Sequence, residues 1–236
     1  MEFDLTTLII TGASKGIGLA TAQTFADEGY RVINLSRNPA DDDRIESHSV
    51  DLLAAHASNT LDKIFKDRLQ KGPLILVHNA ARLLKDSVSS STPESLREIL
   101  ELNVVAPQLL NAKLIPYMQP GSAIIYIGST LSEKAVAGSF SYVTSKHAIV
   151  GMMRATCQDL AGQQIHTTCI CPGFTDTEML REHVGYEQDI LAEIGAASTF
   201  GRLIEPVEIA QMILFAAKSP VINGAIIHGN LGQIEH

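Results

Sequence analysis

Positive charge is scarce in this chain. Among 236 residues, 18 lysines and arginines face 26 aspartates and glutamates, a formal net charge of −8. Such a chain presents no broad basic face, so neither nucleic acid nor an anionic membrane surface is expected as a partner. A phosphorylated ligand needs only a local positive pocket and stays open. Cysteine is scarcer still, limited to Cys157, Cys169 and Cys171. The number is odd and no pair has Cys-x-x-Cys spacing, so buried free thiols are the favoured reading. A metal site would need further Cys or His nearby, and none is expected. Reduced thiols suit a cytoplasmic compartment. No apolar run approaches the roughly 20 residues that cross a bilayer. The opening Met1-Glu2-Phe3-Asp4 lacks the basic stretch of a signal peptide. Repeats, low-complexity tracts and linkers are missing too, and Asp41-Asp42-Asp43 reads as a solvated loop.

What remains is an ordinary globular balance, 45% hydrophobic and 19% charged. The length fits one α/β domain spanning 1–236. Apolar runs read as strands over 5–11, 31–35, 48–50, 74–78, 123–127, 165–171 and 225–228. Helical periodicity falls between them, over 16–28, 59–70, 93–118, 141–161 and 206–217. Thr92-Pro93 reads as an N-cap followed by proline at the first helical position. Pro107 is placed to kink that helix. Residues 175–199 read as loop and short helix. Alternating strands and helices imply parallel pairing through crossovers. The uniformly apolar strands imply cover on both faces. The expected fold is therefore a Rossmann-type, doubly wound α/β domain, with a seven-stranded, mostly parallel sheet and helices on both faces.

Thr11-Gly12-Ala13-Ser14-Lys15-Gly16-Ile17-Gly18 joins the first strand to the first helix. A turn there aims the free amides of a helix N-terminus at a phosphate. Glycine is required where a Cβ would block the turn or the approach of a pyrophosphate. The second strand ends Leu35-Ser36-Arg37 with no carboxylate. A carboxylate there would bind a ribose hydroxyl and repel a 2′-phosphate. Arg37 could instead pair with that phosphate, with Lys15 as a second cation; the alternative is that both are surface cations. Tyr142 and Lys146 lie four apart on one helical face. A lysine ammonium beside a phenol should depress its pKa from about 10 toward the range useful for acid–base work. Ser129 closes an apolar strand thirteen residues before Tyr142, at the carboxyl end where open α/β sheets bind ligands. Its hydroxyl could bond a substrate oxygen as charge develops there. Thr130 competes for that role.

With these motifs in order, the chain resembles the short-chain dehydrogenases/reductases over nearly its whole length. The resemblance implies an oxidoreductase moving a hydride between NADP(H) and a small carbonyl or alcohol substrate. It implies a catalytic set of Ser129, Tyr142, Lys146 and Asn103, the last holding a water next to the lysine. An asparagine inside a helix otherwise needs a reason, and a kink near Pro107 is the alternative. Cofactor contacts are implied at Gly12, Ser14, Lys15, Gly16, Ile17, Gly18, Ser36, Arg37, Asp51 and Leu52. Asn79, Ala80 and Ala81 follow, in His78-Asn79-Ala80-Ala81, where the family usually shows Asn-Asn-Ala-Gly. Tyr142 and Lys146 complete these contacts with Pro172, Gly173, Thr175 and Thr177. Asp51 reads equally as a helix N-cap, and His78 as a residue that packs or caps at its strand end. Residues 175–200 correspond to the family's substrate lid, with Arg181 and His183 its candidate polar contacts. A 3-oxoacyl-carrier-protein reductase is a second reading. Such enzymes dock an acidic partner through arginines where this chain has Ser122 and Gln163. A non-catalytic NADP(H)-binding sensor is a third. Relatives pair through helices corresponding to 95–118 and 141–161. The latter carries apolar Val143, Ala148, Ile149, Met152, Met153 and Leu160 on more than one face, so a homodimer or homotetramer is expected.

Overall fold

The computed structural model describes residues 6–234. Met1–Asp4 and Leu5, placed above in the leader reading and the first strand, lie outside the described residues. Seven parallel strands form one sheet in the order β3-β2-β1-β4-β5-β6-β7. They are β1 (Thr7–Thr11), β2 (Arg31–Ser36), β3 (Ile45–Ser49), β4 (Leu74–His78), β5 (Ala123–Ile127), β6 (His166–Pro172) and β7 (Ala225–Gly229). Every ladder is parallel, so the sheet is wholly rather than mostly parallel. Strands β1, β4, β5 and β6 are buried along their full length, which explains the apolar runs of the first three; β6 opens with buried His166, Thr167 and Thr168. β3, Ile-Glu-Ser-His-Ser, sits at an edge with only Ile45 buried. Its register against β2 starts it three residues before the position expected from hydrophobicity. β6 runs on through Pro172 instead of stopping at Cys171.

Two cores flank the sheet. On one face lie α2 (Ala57–Arg68), α4 (Ala106–Leu114) and α5 (Phe140–Asp159). They bury Leu61, Phe65, Leu110, Leu114, Ile149 and Met153 against Ile9, Leu76, Ile124 and Tyr126. On the other, α1 (Gly16–Asp27) and α8 (Pro206–Ala217) pack Phe25, Ala22, Ile209 and Ile213 against Leu8, Ile10, Val77 and Ile125. Each of the larger of these side chains contributes roughly 1.5–3 kcal/mol by leaving water.

The helical run expected over 93–118 is divided. α3 (Pro93–Leu100) begins with Thr92 accepting from the Ser95 amide in a reciprocal capping box. A π-helical segment, Glu101–Val105, follows, then α4 and a 3₁₀ turn, Ile115–Tyr117. Pro107 has no N–H to return to the Asn103 carbonyl four residues back, and the distortion falls at that point. The lid holds two short helices, α6 (Glu178–His183) and α7 (Gln188–Ala196). On α5, Ile149, Val150 and Met153 are buried within the chain, while Thr144, His147, Gly151, Arg154, Ala155 and Gln158 are exposed. The chain itself thus covers most of the apolar surface expected to need a second subunit.

Candidate active site

Strand β1 lies between β2 and β4, and the strand order of the sheet reverses there. The crevice outside the carboxyl ends of β1 and β4 is where open α/β sheets bind ligands, and the motifs converge on it. Gly12 and Gly16 take positive φ of 70° and 58°, which a side chain would strain. At Gly18 a Cβ would stand 2.3 Å from the Gly12 carbonyl oxygen and 2.5 Å from Asn79 Nδ2. Sterics therefore exclude any side chain at Gly18. Ser14 and Ile17 are half-buried, and Ile17 packs on the α1–α8 core.

Two asparagines hold this turn. Asn79 Nδ2 donates to the carbonyls of Thr11 and Gly12 at 2.9 and 3.1 Å. Thr11 Oγ1 in return accepts the amides of Asn79 and Ala80 at 3.0 and 2.9 Å. Asn34, wholly buried in β2, accepts the Ala13 amide at 3.0 Å and donates to Ser36 Oγ and Ser47 Oγ. Asn34 was not among the expected site residues, although it is the one polar side chain inside the apolar stretch of β2. Ser36, expected at the cofactor, also donates to the Asn38 carbonyl, so its hydroxyl shapes the bend after β2. Ala81 is half-buried beside this junction.

Arg37 is exposed directly after β2, and among the described residues its guanidinium pairs with no carboxylate. Lys15 is the N-cap residue of α1. Its Nζ is 3.7 Å from Glu182 of α6, with both side chains more than half exposed, so that pair holds Lys15 weakly. Asp51 accepts the Leu53 amide at 3.0 Å in a turn before α2. The N-cap of α2 is His56, so the alternative reading of Asp51 as that helix's cap is corrected. Leu52 packs on the α2–α4–α5 core.

Ser129 follows β5 and opens a 3₁₀ turn, Thr130–Ser132. Its Oγ accepts the Leu131 amide at 3.1 Å, and its own amide donates to Ser132 Oγ. The Ser129 hydroxyl thus accepts one backbone bond, and among the described residues its proton has no acceptor. Thr130, the competing candidate, is buried. Beneath the turn, Cys169 and Cys171 lie with their sulfurs 3.8 Å apart, both free and buried, as their same-face spacing predicts. A Cβ on Gly128 would meet both sulfurs within 2.8 Å.

Helix α5 carries Tyr142, half-buried, and Lys146, 3% exposed. Lys146 Nζ donates to the Ile127 carbonyl at 2.7 Å and stands 5.4 Å from the centre of the Tyr142 ring. The bond to Ile127 ties the lysine to the strand that delivers Ser129. Asn103 is buried in the π-helical segment. Its Oδ1 accepts the Arg82 amide at 2.9 Å, and its Nδ2 donates to the Arg82 carbonyl at 3.0 Å and to Ser145 Oγ at 2.9 Å. Both amide protons are spent, so the side chain is a clip between the loop after β4 and α5. Ser145, next to Lys146, was also missed; nothing but its place inside Tyr-x-x-x-Lys marks it.

After β6, a Cβ on Gly173 would meet Asn230 at 2.9 Å. Thr175 Oγ1 donates to the Gly173 carbonyl at 3.1 Å, and Thr177 Oγ1 caps α6 by accepting the Leu180 amide. Thr177 also lies against the glycine turn, where a Cβ on Gly16 would stand 3.3 Å from its methyl. Arg181 is held by two 2.7 Å bonds to Asp176, which binds it within the lid. Burial, then the nearby Lys85 charge, holds the His183 pKa below its ordinary value. His78 packs rather than caps. It is buried, its Nε2 bonds Asn111 Oδ1 at 2.8 Å, and burial pushes its pKa down to about 4 despite that bond.

A sequence model described as Enoyl-(Acyl carrier protein) reductase matches residues 12–233. Carbonyl reductase family member 4 of Danio rerio is 30% identical over 93% of this chain and 94% of its own. The 3-oxoacyl-[acyl-carrier-protein] reductase of Homo sapiens is 29% identical over 92% and 93%. Among solved structures, the ligand-free aldohexose dehydrogenase of Thermoplasma acidophilum superposes with a TM-score of 0.89 at 28% identity, covering 97% of this chain and 93% of its own. This chain belongs to the short-chain dehydrogenase/reductase family, oxidoreductases that act on carbonyl and alcohol carbons with a nicotinamide cofactor.

Proposed function

We propose that this enzyme is an NADP(H)-dependent reductase of a small carbonyl substrate, with alcohol oxidation as the reverse reaction. The observation that carries this reading is Lys146, buried, bonded to the Ile127 carbonyl and 5.4 Å from the Tyr142 ring. The glycine turn suits a pyrophosphate: Gly12 and Gly16 take positive φ, and Gly18 packs without a Cβ against the Gly12 carbonyl and Asn79. Gly12, Ser14, Gly16, Ile17 and Gly18 would hold the phosphates, and Arg37 and Lys15 the 2′-phosphate. Asp51 and Leu52 would meet the adenine, and Ala80 and Ala81 the ribose. Pro172, Gly173, Thr175 and Thr177 would line the nicotinamide, and Lys146 would bind its ribose hydroxyls. When bound, the cofactor supplies the hydride.

The residues of the chain supply position and protons. Ser129 donates its free hydroxyl proton to the substrate oxygen, where negative charge grows. Tyr142 gives that oxygen its proton in reduction and takes it back in oxidation. Lys146, 5.4 Å from the ring centre, returns a proton to the phenolate left after transfer. Asn103 serves the relay through its main chain, because Pro107 gives its carbonyl no α-helical donor and its side-chain protons are committed. That carbonyl would then accept a bond from a water serving Lys146.

Reduction of a carrier-bound 3-oxoacyl group is the second reading, favoured by likeness to the human reductase. Against it, Ser122 is wholly buried and bonded to the Gln119 carbonyl, so it offers nothing to an acidic partner. A dinucleotide sensor would bind NADPH without turnover. Tyr142→Phe separates an enzyme from a sensor: an enzyme keeps binding NADPH and loses nearly all carbonyl reduction, whereas a sensor signals unchanged. Homodimer or homotetramer assembly belongs to the same proposal, through the exposed stripe of α5 around Gly151 and Ala155. Elution at monomer mass would oppose it. Among the described residues no helix is long and apolar enough to cross a membrane. The unpaired cysteines support a cytoplasmic setting.

A further inference from the structure

The helix that carries Tyr142 and Lys146 has no cap of its own. Its N-cap residue, Ser139, makes no side-chain bond to the helix, and no acidic residue lies in the first turn. The first amides of a helix have no internal partner, and leaving them buried and unpaired is costly. Here a carboxylate 55 residues earlier in the chain meets them. Asp86, in the loop between β4 and α3, is 7% exposed. Its Oδ1 accepts the Ser141 amide at 3.0 Å, its Oδ2 accepts the Ser141 hydroxyl, and its main-chain carbonyl accepts the Phe140 amide at 3.2 Å. The Asp86 amide donates in turn to the Gly138 carbonyl at 3.1 Å. Ser91 Oγ lies 3.1 Å from Ser141 Oγ, which extends the cluster to the start of α3. Burial works against the charge on Asp86, but the bonds from Ser141 outweigh it and hold the carboxyl below its ordinary range. The positive end of a 20-residue helix favours the same ionised form.

We propose that Asp86 is a positioning residue for hydride transfer: it anchors the first turn of α5 and so sets the phenol of Tyr142, the residue after Ser141, relative to Ser129 and Lys146. This rests on the proposed role of Tyr142. Only the first turn depends on Asp86. Lys146, one turn further on, has its own tie to Ile127, and the glycine turn is held separately by Asn34 and Asn79. Loss of Asp86 therefore moves the phenol while cofactor binding survives.

The test compares wild type with Asp86→Ala, Asp86→Asn and Ser141→Ala by NADPH titration, steady-state reduction of a small diketone across pH, and amide hydrogen exchange. Asp86→Ala should keep its NADPH Kd within about twofold, lose at least tenfold in kcat, and shift the pH dependence of kcat. Exchange should accelerate in the peptide covering 139–146 and in no other helix. Asp86→Asn, which retains one acceptor, should recover part of kcat. A residue that merely stabilised the fold would lower Tm and leave kcat of the folded enzyme unchanged, and that result overturns the proposal. If Asp86→Ala does not fold, Ser141→Ala decides, with a two- to fivefold kcat loss expected and wild-type kcat overturning the idea. If the wild type reduces no carbonyl, the catalytic reading has failed; the exchange data still report whether Asp86 anchors α5, and unchanged exchange at 139–146 refutes that by itself.

Discussion

Acid should destabilise this protein through His78 in a way that can be calculated. The ring is buried at the end of β4, tilted against Tyr126 with centroids 4.9 Å apart. Nε2 faces Asn111 Oδ1, whose amide donates to Tyr126 Oη at 2.7 Å. Nδ1 has no partner among the described residues. A neutral ring with its proton on Nε2 satisfies this arrangement, and a second proton on Nδ1 would be buried without an acceptor. Burial lowers the pKa to about 4, against about 6.5 in the unfolded chain. The depressed value belongs to a base, so between these pH values the unfolded state binds more protons. The contribution to stability is therefore complete above pH 6.5 and is lost as pH falls toward 4. Linkage gives a loss of about 2 kcal/mol between pH 7 and pH 4.5 from this one group. Carboxylates titrate over the same range, so the assay must isolate the imidazole. His78→Asn introduces the residue the family usually carries there and removes the titration. Urea unfolding of both proteins at pH 7 and 4.5 should give a pH dependence steeper by about 2 kcal/mol in the wild type. Equal pH dependence in the two proteins would refute the reasoning, whatever their stabilities at pH 7.

Three further outcomes follow from the same geometry. Gly18→Ala forces a methyl to within 2.3 Å of the Gly12 oxygen; it should destabilise the fold by at least about 2 kcal/mol and abolish NADPH binding, as calorimetry would show. Asn34→Ala orphans the Ala13 amide and should cost about 1–3 kcal/mol in urea unfolding, with a weaker NADPH complex. Replacing Arg37 and Lys15 together by alanine should weaken NADPH binding by more than tenfold and leave NADH binding within about threefold; equal losses for both would remove these residues from the 2′-phosphate.

What could be read from the sequence was mostly local. Helix α8 has the expected bounds, Pro206–Ala217, because proline at the first turn and the apolar period are both written there. The glycine turn and Tyr142–Lys146 are legible because their spacing is chemistry. Strand β3 was misplaced because pairing with Val32–Ser36, rather than its own hydrophobicity, sets it. The π-helical segment was invisible because its cause is split between Pro107 and the bonds from Asn103 to Arg82, 21 residues away. Asp86 was overlooked for the same reason: an isolated acid in a polar loop gives no sign that it caps a helix 55 residues on. Asn34 was discoverable, since an asparagine in a buried strand requires partners.

Everything proposed for this site depends on Tyr142 acting as the acid–base of an NADP(H)-linked carbonyl reduction. The most direct measurement follows nicotinamide absorbance while wild type and Tyr142→Phe, each saturated with NADPH, are given a panel of small ketones, diketones and ketoacyl thioesters. Wild type should turn over at least one small carbonyl, and the variant should lose at least a hundredfold in kcat with its NADPH Kd unchanged. Equal turnover by the two proteins, or no NADPH binding by the wild type, would contradict that role.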